Sequence, residues 1–222
     1  MNRSMIFPLV FGLVGTVIFL SLGVWQLQRL TWKTAILTEI DMRLAEEPVA
    51  LPVDLDSVID KYLQVEVSGV IEPRELHVLT FGDGTPGFRV ISTMVLLDGR
   101  RILVDRGFLP EIRKTDPRMG GEATALGSLV WPQETDKYVP APNLEKNIWF
   151  ARDVPLMAKT LNTEEIMLAI SRNSHDEGIT PQRVSVNISN RHLEYVMTWF
   201  SLAVIWVGMT GYALRRIKHK TE

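Results

Sequence analysis

The chain has 222 residues, 46% of them hydrophobic and 23% charged, with a net charge of −2 and no cysteine. That composition excludes a disordered or low-complexity chain, and the absence of a basic excess excludes a nucleic-acid footprint. The missing cysteines remove disulfides, thiolate copper or iron–sulfur ligation and thiol–disulfide exchange.

A mean hydropathy of +0.08 conceals segregation. Residues 5–25 carry no charge, and neither do residues 196–214. At 1.5 Å per helical residue these stretches extend about 31 and 28 Å, close to the ~30 Å hydrocarbon core of a bilayer. Two transmembrane helices are expected, over residues 5–25 and 196–214. The first could instead be read as a cleavable signal peptide, whose apolar core is shorter and ends at a small-residue site. Ser21-Leu22-Gly23-Val24-Trp25-Gln26 offers no such site, so an uncleaved anchor is expected.

Charge sets the orientation. The tail, residues 215–222, opens with Arg215-Arg216-Ile217-Lys218-His219-Lys220, and positive-inside topology places it in the cytoplasm. Two spans return the chain to its starting side, so both termini are expected there and residues 26–195 outside. That segment carries 19 Lys and Arg against 25 Asp and Glu. It is long enough to be held by a hydrophobic core alone.

In chain order, residues 26–47 read as helix continuing out of the membrane. Leu30, Ile36, Leu37, Ile40 and Leu44 recur at helical spacing until Pro48. Strand-like runs follow over residues 62–70, 75–81, 88–97, 101–105, 123–131, 147–151, 166–171 and 182–189. Turn signals separate them, among them Gly82-Asp83-Gly84, Asp98-Gly99 and Pro140-Ala141-Pro142. A short helix is expected over residues 154–161, with Asp153 as N-cap and Pro155 in the first turn. The expected fold class is a membrane protein. Two transmembrane α-helices flank a mainly antiparallel β domain, barrel- or sandwich-like, with one or two short helices.

Several motifs mislead. Gly82-x-Gly84-x-x-Gly87 matches the dinucleotide fingerprint, but Pro86 and the strand-like Phe88-Arg89-Val90-Ile91-Ser92 deny it the helix that would hold a pyrophosphate. A hairpin loop is expected. There is no G-x-S-x-G, no H-E-x-x-H and no close His pair. His77 alternates within a strand, and His175 sits in the polar run Asn173-Ser174-His175-Asp176-Glu177, which reads as a solvated loop rather than a metal site. No catalytic residue and no enzyme activity are expected.

Both ends of the exported segment meet the same leaflet. Trp25, Arg29 and Trp32 lie at i, i+4 and i+7 after the first span. His192, Tyr195, Trp199, Leu202 and Trp206 share helical spacing into the second. Interfacial aromatic belts and snorkelling cations account for most of these. His192 differs in kind, because an imidazole can ligate a metal.

These flanking motifs resemble those of the Surfeit-locus (Surf-type) family of cytochrome c oxidase assembly proteins. The resemblance begins with Leu22-Gly23-Val24-Trp25-Gln26-Leu27-Gln28-Arg29, Trp32-Lys33 and Arg43-Leu44. It continues through Tyr62-Leu63-Gln64-Val65, Gly69, Pro86-Gly87-Phe88 and Leu103-Val104-Asp105-Arg106-Gly107-Phe108-Leu109-Pro110. It closes with Trp149, Arg152-Asp153, Asn190-x-His192-Leu193-x-Tyr195 and Thr198-Trp199. Asp105 and Phe108 depart from the family's usual Asn and Trp, and a local Asp105–Arg106 pair is expected. Read from the residues alone, Arg106-Gly107 is a strand end with a glycine turn.

The resemblance implies a non-enzymatic assembly factor that assists heme a insertion into the catalytic subunit of cytochrome c oxidase. It implies transient heme binding by His192, with Arg29 or Lys33 as propionate partners and Tyr195, Trp199 and Trp25 as aromatic neighbours. Gln26, Trp32, Arg106 and Gly107 are expected to meet a partner. The partners implied are the oxidase catalytic subunit, a heme a synthase and the lipid bilayer, with no nucleic acid and no metal beyond heme iron. With no Arg- and Ser-rich segment ahead of Met5, the expected location is a bacterial inner membrane with the domain periplasmic. The alternative is a scaffold that holds the oxidase subunit or synthase without touching heme, its close packing permitted by Gly12, Gly15, Gly208 and Gly211. A membrane-anchored hydrolase with a buried carboxylate site is the third reading.

Overall fold

The computed structural model describes residues 3–82, 84–175, 177–182, 184 and 191–221. It divides into two compact units, one formed by Met1–Glu39 with Val186–Glu222 and the other by Ile40–Ser185.

The first unit is a pair of helices. Helix α1 (Arg3–Leu44) runs unbroken through the expected span and its extension, as the lack of Gly or Pro after Gly23 allows. The last helix, α3 (His192–Thr221), begins at the histidine singled out above. Each is long and apolar enough to cross a membrane. They pack antiparallel. A Cβ on Gly12 would meet Thr210, one on Gly15 would meet Trp206, and one on Gly23 would meet Phe200.

The covered positions include 12, 16, 19, 23, 26, 30 and 33 on α1, and 192, 196, 199, 203, 206, 210 and 213 on α3. Alternating steps of four and three keep one narrow stripe of each helix against its neighbour. Small residues let the backbones approach, and Trp206 uses that closeness, its Nε1–H donating to the Gly12 carbonyl at 3.1 Å. Thr16 and Ser21 donate to carbonyls four residues back, so these hydroxyls are satisfied inside an apolar helix.

The second unit holds six strands: β1 (Val49–Ala50), β2 (Gln64–Gly82), β3 (Thr85–Leu96), β4 (Arg101–Pro110), β5 (Gly121–Val130) and β6 (Met167–Asn173). Their order is β1-β2-β3-β4-β6-β5, and β5 pairs again with β2. Five strands therefore close into a barrel with β1 appended. The fourth barrel strand lies beside the first, as in a Greek key. The domain is mainly antiparallel, as expected, through the β2–β3, β2–β5, β3–β4 and β5–β6 pairings, but the sheet is mixed, because β1 runs parallel to β2 and β4 parallel to β6. Alternation along one strand gives which face is buried and not which neighbour it takes.

Two expected strands, residues 62–70 and 75–81, are one. The register with β3 jumps between Ile71 and Glu75, so β2 bends through Glu72-Pro73-Arg74 without ending. Pro73 has no N–H for the ladder and is tolerated at such a bulge. The expected strand over residues 101–105 likewise continues to Pro110. Arg106 is the extra residue between the pairs Ile91↔Asp105 and Val90↔Gly107. Gly107 has φ +113, and an added Cβ would stand 2.1 Å from the Thr180 carbonyl oxygen. Arg106-Gly107 is thus a bulge within a strand, not a strand end.

Residues 147–151 form only isolated bridges, Asn143↔Ile148 and Val78↔Trp149. Of residues 182–189, Gln182 and Val184 have no regular structure and the others lie outside the described residues. Gly82 pairs with Thr85 across the hairpin, as expected for the rejected fingerprint.

Helix α2 (Val154–Leu161) forms where expected. The Asp153 carboxylate accepts from the Leu156 amide at 3.1 Å, and Asn162 ends the helix in a left-handed conformation. The barrel interior is filled by Val65, Ile71, Met94, Ile102, Val104, Leu129, Leu168 and Ile170. Leu103 and Met167 face the other way, where Trp149 and the α2 residues Met157 and Leu161 cover them. The parallel strands β4 and β6 are therefore buried on both faces, which is why they read as continuous apolar runs.

Candidate functional site

The end of the helical pair beyond the uncharged stretches carries the polar residues singled out in the sequence. The His192 Nδ1–H donates to Gln26 Oε1 at 2.7 Å. Gln26, expected to meet a partner, is instead only 9% exposed and turned toward α3. Arg29 and Lys33 follow Gln26 at i+3 and i+7, on its side of α1; loss of hydration holds the His192 imidazole below its ordinary value, and the Lys33 and Arg29 charges lower it further. The Arg29 guanidinium also lies 4.6 Å from the centre of the Trp32 ring.

The aromatic residues do not all converge there. Trp25, Trp32 and Tyr195 are each about half exposed. Trp199 enters the helix seam two turns from His192, its ring stacked on Phe19 with centroids 6.0 Å apart. The structure thus brings together His192, Gln26, Arg29 and Lys33, and leaves Trp25, Trp32 and Tyr195 on outward faces.

The fit of this cluster to heme iron can be judged from the histidine itself. An amide oxygen only accepts, so the Gln26 contact places the proton on Nδ1 and leaves the Nε2 lone pair for a metal. A ligand held through one ring nitrogen, with the other donating to a fixed acceptor, is the usual arrangement of metal-binding histidines. The residues present fit a single axial ligand. Among the described residues, no group of three or more His, Asp or Glu is placed to hold a metal ion.

The barrel carries buried charge of another kind. Asp105 is 1% exposed and accepts from Arg89 at 2.8 Å, from Arg152 at 3.3 Å and from the Gly107 amide at 3.2 Å. Arg152 also pairs with Glu134, and Arg89 donates to Gln182 at 3.0 Å. The expected local pair with Arg106 does not form, because the Asp105 carboxylate is taken by Arg89 and Arg152. Arg106 pairs with Glu177 at 2.6 Å. Burial alone would raise the Glu177 carboxyl, but Arg106 and the Gly120 and Met119 amides hold it below its ordinary value.

Arg106 and Gly107, expected at a partner surface, are buried, Arg106 at 3% exposure and Gly107 beneath Thr180-Pro181. Arg106, Arg113, Asn173 and His175 line a cavity of about 500 Å³. His175, expected in a solvated loop, is partly buried, with Nε2 3.6 Å from Glu177.

A third cluster joins Glu75, His77 and Arg118. Glu75 meets His77 Nε2 at 2.7 Å and takes a forked contact from Arg118. Burial pushes the Glu75 carboxyl up, but His77 and Arg118 outweigh it and hold the group down at about 2. In each barrel cluster the carboxylates are ion-paired with arginine, which suits a structural role rather than proton transfer.

Sequence reasoning named Gln26 but missed its link to His192. The signal was present, since Gln26 continues the Gly12, Thr16, Phe19, Gly23 seam spacing and carries an amide there. The barrel clusters join residues far apart in sequence and left little local trace beyond the Glu75-x-His77 alternation.

A family model described as the SURF1 family matches residues 13–204. Surfeit locus protein 1 of Rattus norvegicus is 29% identical over 206 residues, spanning 82% of this chain and 67% of the rat protein. The Gallus gallus protein of the same name is 30% identical over 206 residues, with the same coverage. The Homo sapiens protein is 29% identical over 208 residues, spanning 82% of this chain and 69% of its own length. With the model covering most of the chain, including the Gln26–His192 contact, the chain belongs to the SURF1 family.

Proposed function

We propose that this protein is a membrane-anchored assembly factor for cytochrome c oxidase that holds heme a transiently on its way to the catalytic subunit. The observation that carries the reading is the Gln26–His192 contact, which engages Nδ1 and, among the described residues, leaves the other imidazole nitrogen for a ligand, with the Arg29 and Lys33 charges acting on the ring. Heme is a largely apolar plate with two carboxylates and an iron that takes axial imidazole. A histidine beside two cations, at the end of an apolar helix pair, supplies complementary chemistry. One histidine rather than two suits a carrier that must release its cargo.

The basic run after residue 214 supports a topology with both termini cytoplasmic and residues 26–195 in the periplasm of a bacterial inner membrane. No catalytic step is part of the proposal. Oxidase catalytic subunit and heme a synthase are the proposed partners. A scaffold reading without heme is favoured by one observation: an added Cβ at Gly208 or Gly211 meets nothing within 4 Å, so that stripe of α3 is open to another helix.

The test is the heme content of His192→Ala protein purified from cells that make heme a normally. The carrier reading expects heme to be lost and oxidase assembly impaired. Full heme content together with full oxidase assembly would overturn it.

A further inference from the structure

We infer that Gln26 is a positioning residue for His192, fixing its tautomer and aiming Nε2 outward for axial ligation. The inference rests on the proposed heme-binding role of His192 and adds to it the residue that makes the imidazole a competent ligand.

Neutral imidazole carries one proton, and in water the Nε2–H form is preferred. In that form Nε2 cannot bind iron. A hydrogen bond from Nδ1–H to a fixed oxygen reverses the preference, and the 2.7 Å contact with Gln26 Oε1 is such a bond. Gln26 is well placed to hold it. It is 9% exposed, whereas Trp25 and Leu27 on either side are about half exposed. One helical turn before it, Gly23 lies against the Phe200 ring and fixes the separation of the helices. The contact therefore bridges the two helices, and the imidazole's orientation is set by the packing of both.

A hydrogen-bond acceptor on the far nitrogen also makes the near one more basic. Partners of this kind alter metal affinity about 10–100-fold.

Full-length protein in detergent, titrated with ferric heme, separates the possibilities. Wild type, His192→Ala, Gln26→Ala and Gln26→Glu are compared by Soret spectrum, dissociation constant and midpoint potential of the bound heme. Gln26→Ala is expected to weaken binding about 10–100-fold and alter the axial-ligand spectrum. Gln26→Glu keeps an oxygen acceptor, so it is expected to restore affinity and to lower the potential, because a carboxylate draws the Nδ1 proton more strongly. Imidazole nitrogen NMR of the heme-free, histidine-labelled protein gives a readout independent of loading. The His192 signal, identified by its loss in His192→Ala, is expected as the Nδ1–H tautomer in wild type and as Nε2–H in Gln26→Ala.

Wild-type affinity, spectrum and tautomer in Gln26→Ala would overturn the positioning role while leaving His192 as ligand. Weak binding in Gln26→Ala that Gln26→Glu does not restore would overturn it too. Unchanged heme binding by His192→Ala would instead sink the heme reading itself.

Discussion

In the helical unit the large apolar side chains Phe7, Leu13, Val17, Val204 and Val207 face outward, and the stripe between helices is made of glycine, threonine and aromatic rings. In the barrel unit the arrangement is reversed. Val65, Ile71, Met94, Ile102 and Leu168 are wholly buried, and among the described residues the buried charged groups Asp105, Arg106 and Arg118 are each ion-paired. Burial of large apolar side chains can hold the barrel, at roughly 1.5–3 kcal/mol for each. It cannot hold the helix pair in the same way if lipid surrounds it, because a hydrocarbon tail solvates leucine as well as another helix does. Close backbone approach and a few hydrogen bonds must then do the work, and the Gln26–His192 bond is one of them. In the proposed reading, the same residue that contributes to helix pairing also sets up a ligand. Mutations in the two units should therefore fail in different ways.

The largest effect is expected in the barrel. Asp105→Ala leaves Arg89 and Arg152 without their shared carboxylate and should destabilise the unit by about 3–5 kcal/mol. Denaturant unfolding of the full chain in detergent, followed by circular dichroism, measures it. Asp105→Asn keeps an acceptor and should cost less than Ala.

Next comes the helix pair. An added Cβ on Gly15 would fall 2.3 Å from the Trp206 Nε1, so Gly15→Leu forces the helices apart at a cost of about 1–3 kcal/mol. Because the chain has no cysteine, a cysteine pair introduced across the two helices away from the glycine contacts reports the separation cleanly. Its oxidative cross-linking should fall sharply when Gly15→Leu is added, while barrel unfolding stays as in the parent.

The Glu75 cluster gives a pH signature. A carboxyl lowered from 4.5 to about 2 contributes stability that is present above pH 4.5 and lost as pH falls toward 2. Acid unfolding of the barrel should steepen in that window. Glu75→Gln, at a cost of roughly 2 kcal/mol near neutrality, should flatten the profile there.

The smallest effect on the fold is expected at Gly208. Gly208→Leu meets open space and should shift stability by no more than about 0.5 kcal/mol. Reduced co-purification with the oxidase subunit would then show that this stripe docks a partner. Unchanged co-purification would remove the main support for the scaffold reading.

What the sequence made legible follows from how local each feature is. Helix α2 was readable to its ends because Asp153 and Pro155 act within one turn. The two apolar helices were readable because an uncharged, apolar run of about twenty residues is rare outside a membrane span. The joins within β2 and β4 were not. Pro73 and Gly107 are turn signals by composition, and only the strands on either side convert each into a bulge. The parallel β4–β6 pairing depends on a chain reversal through α2. Asp105 finds Arg89 and Arg152 at separations of 16 and 47 residues, which no local pattern records. At the helix pair, His192 was singled out by its chemistry and Gln26 by the resemblance. Their contact, across 166 residues, emerged only from the fold.

The most direct test of the central claim is a reduced-minus-oxidised spectrum of membranes from a strain lacking this protein, restored with wild type or with His192→Ala. The heme a signal is expected to be lost without the protein, to return with wild type and to stay low with His192→Ala, while b- and c-type hemes are unaffected. A heme a signal restored to the wild-type level by His192→Ala would contradict the carrier role.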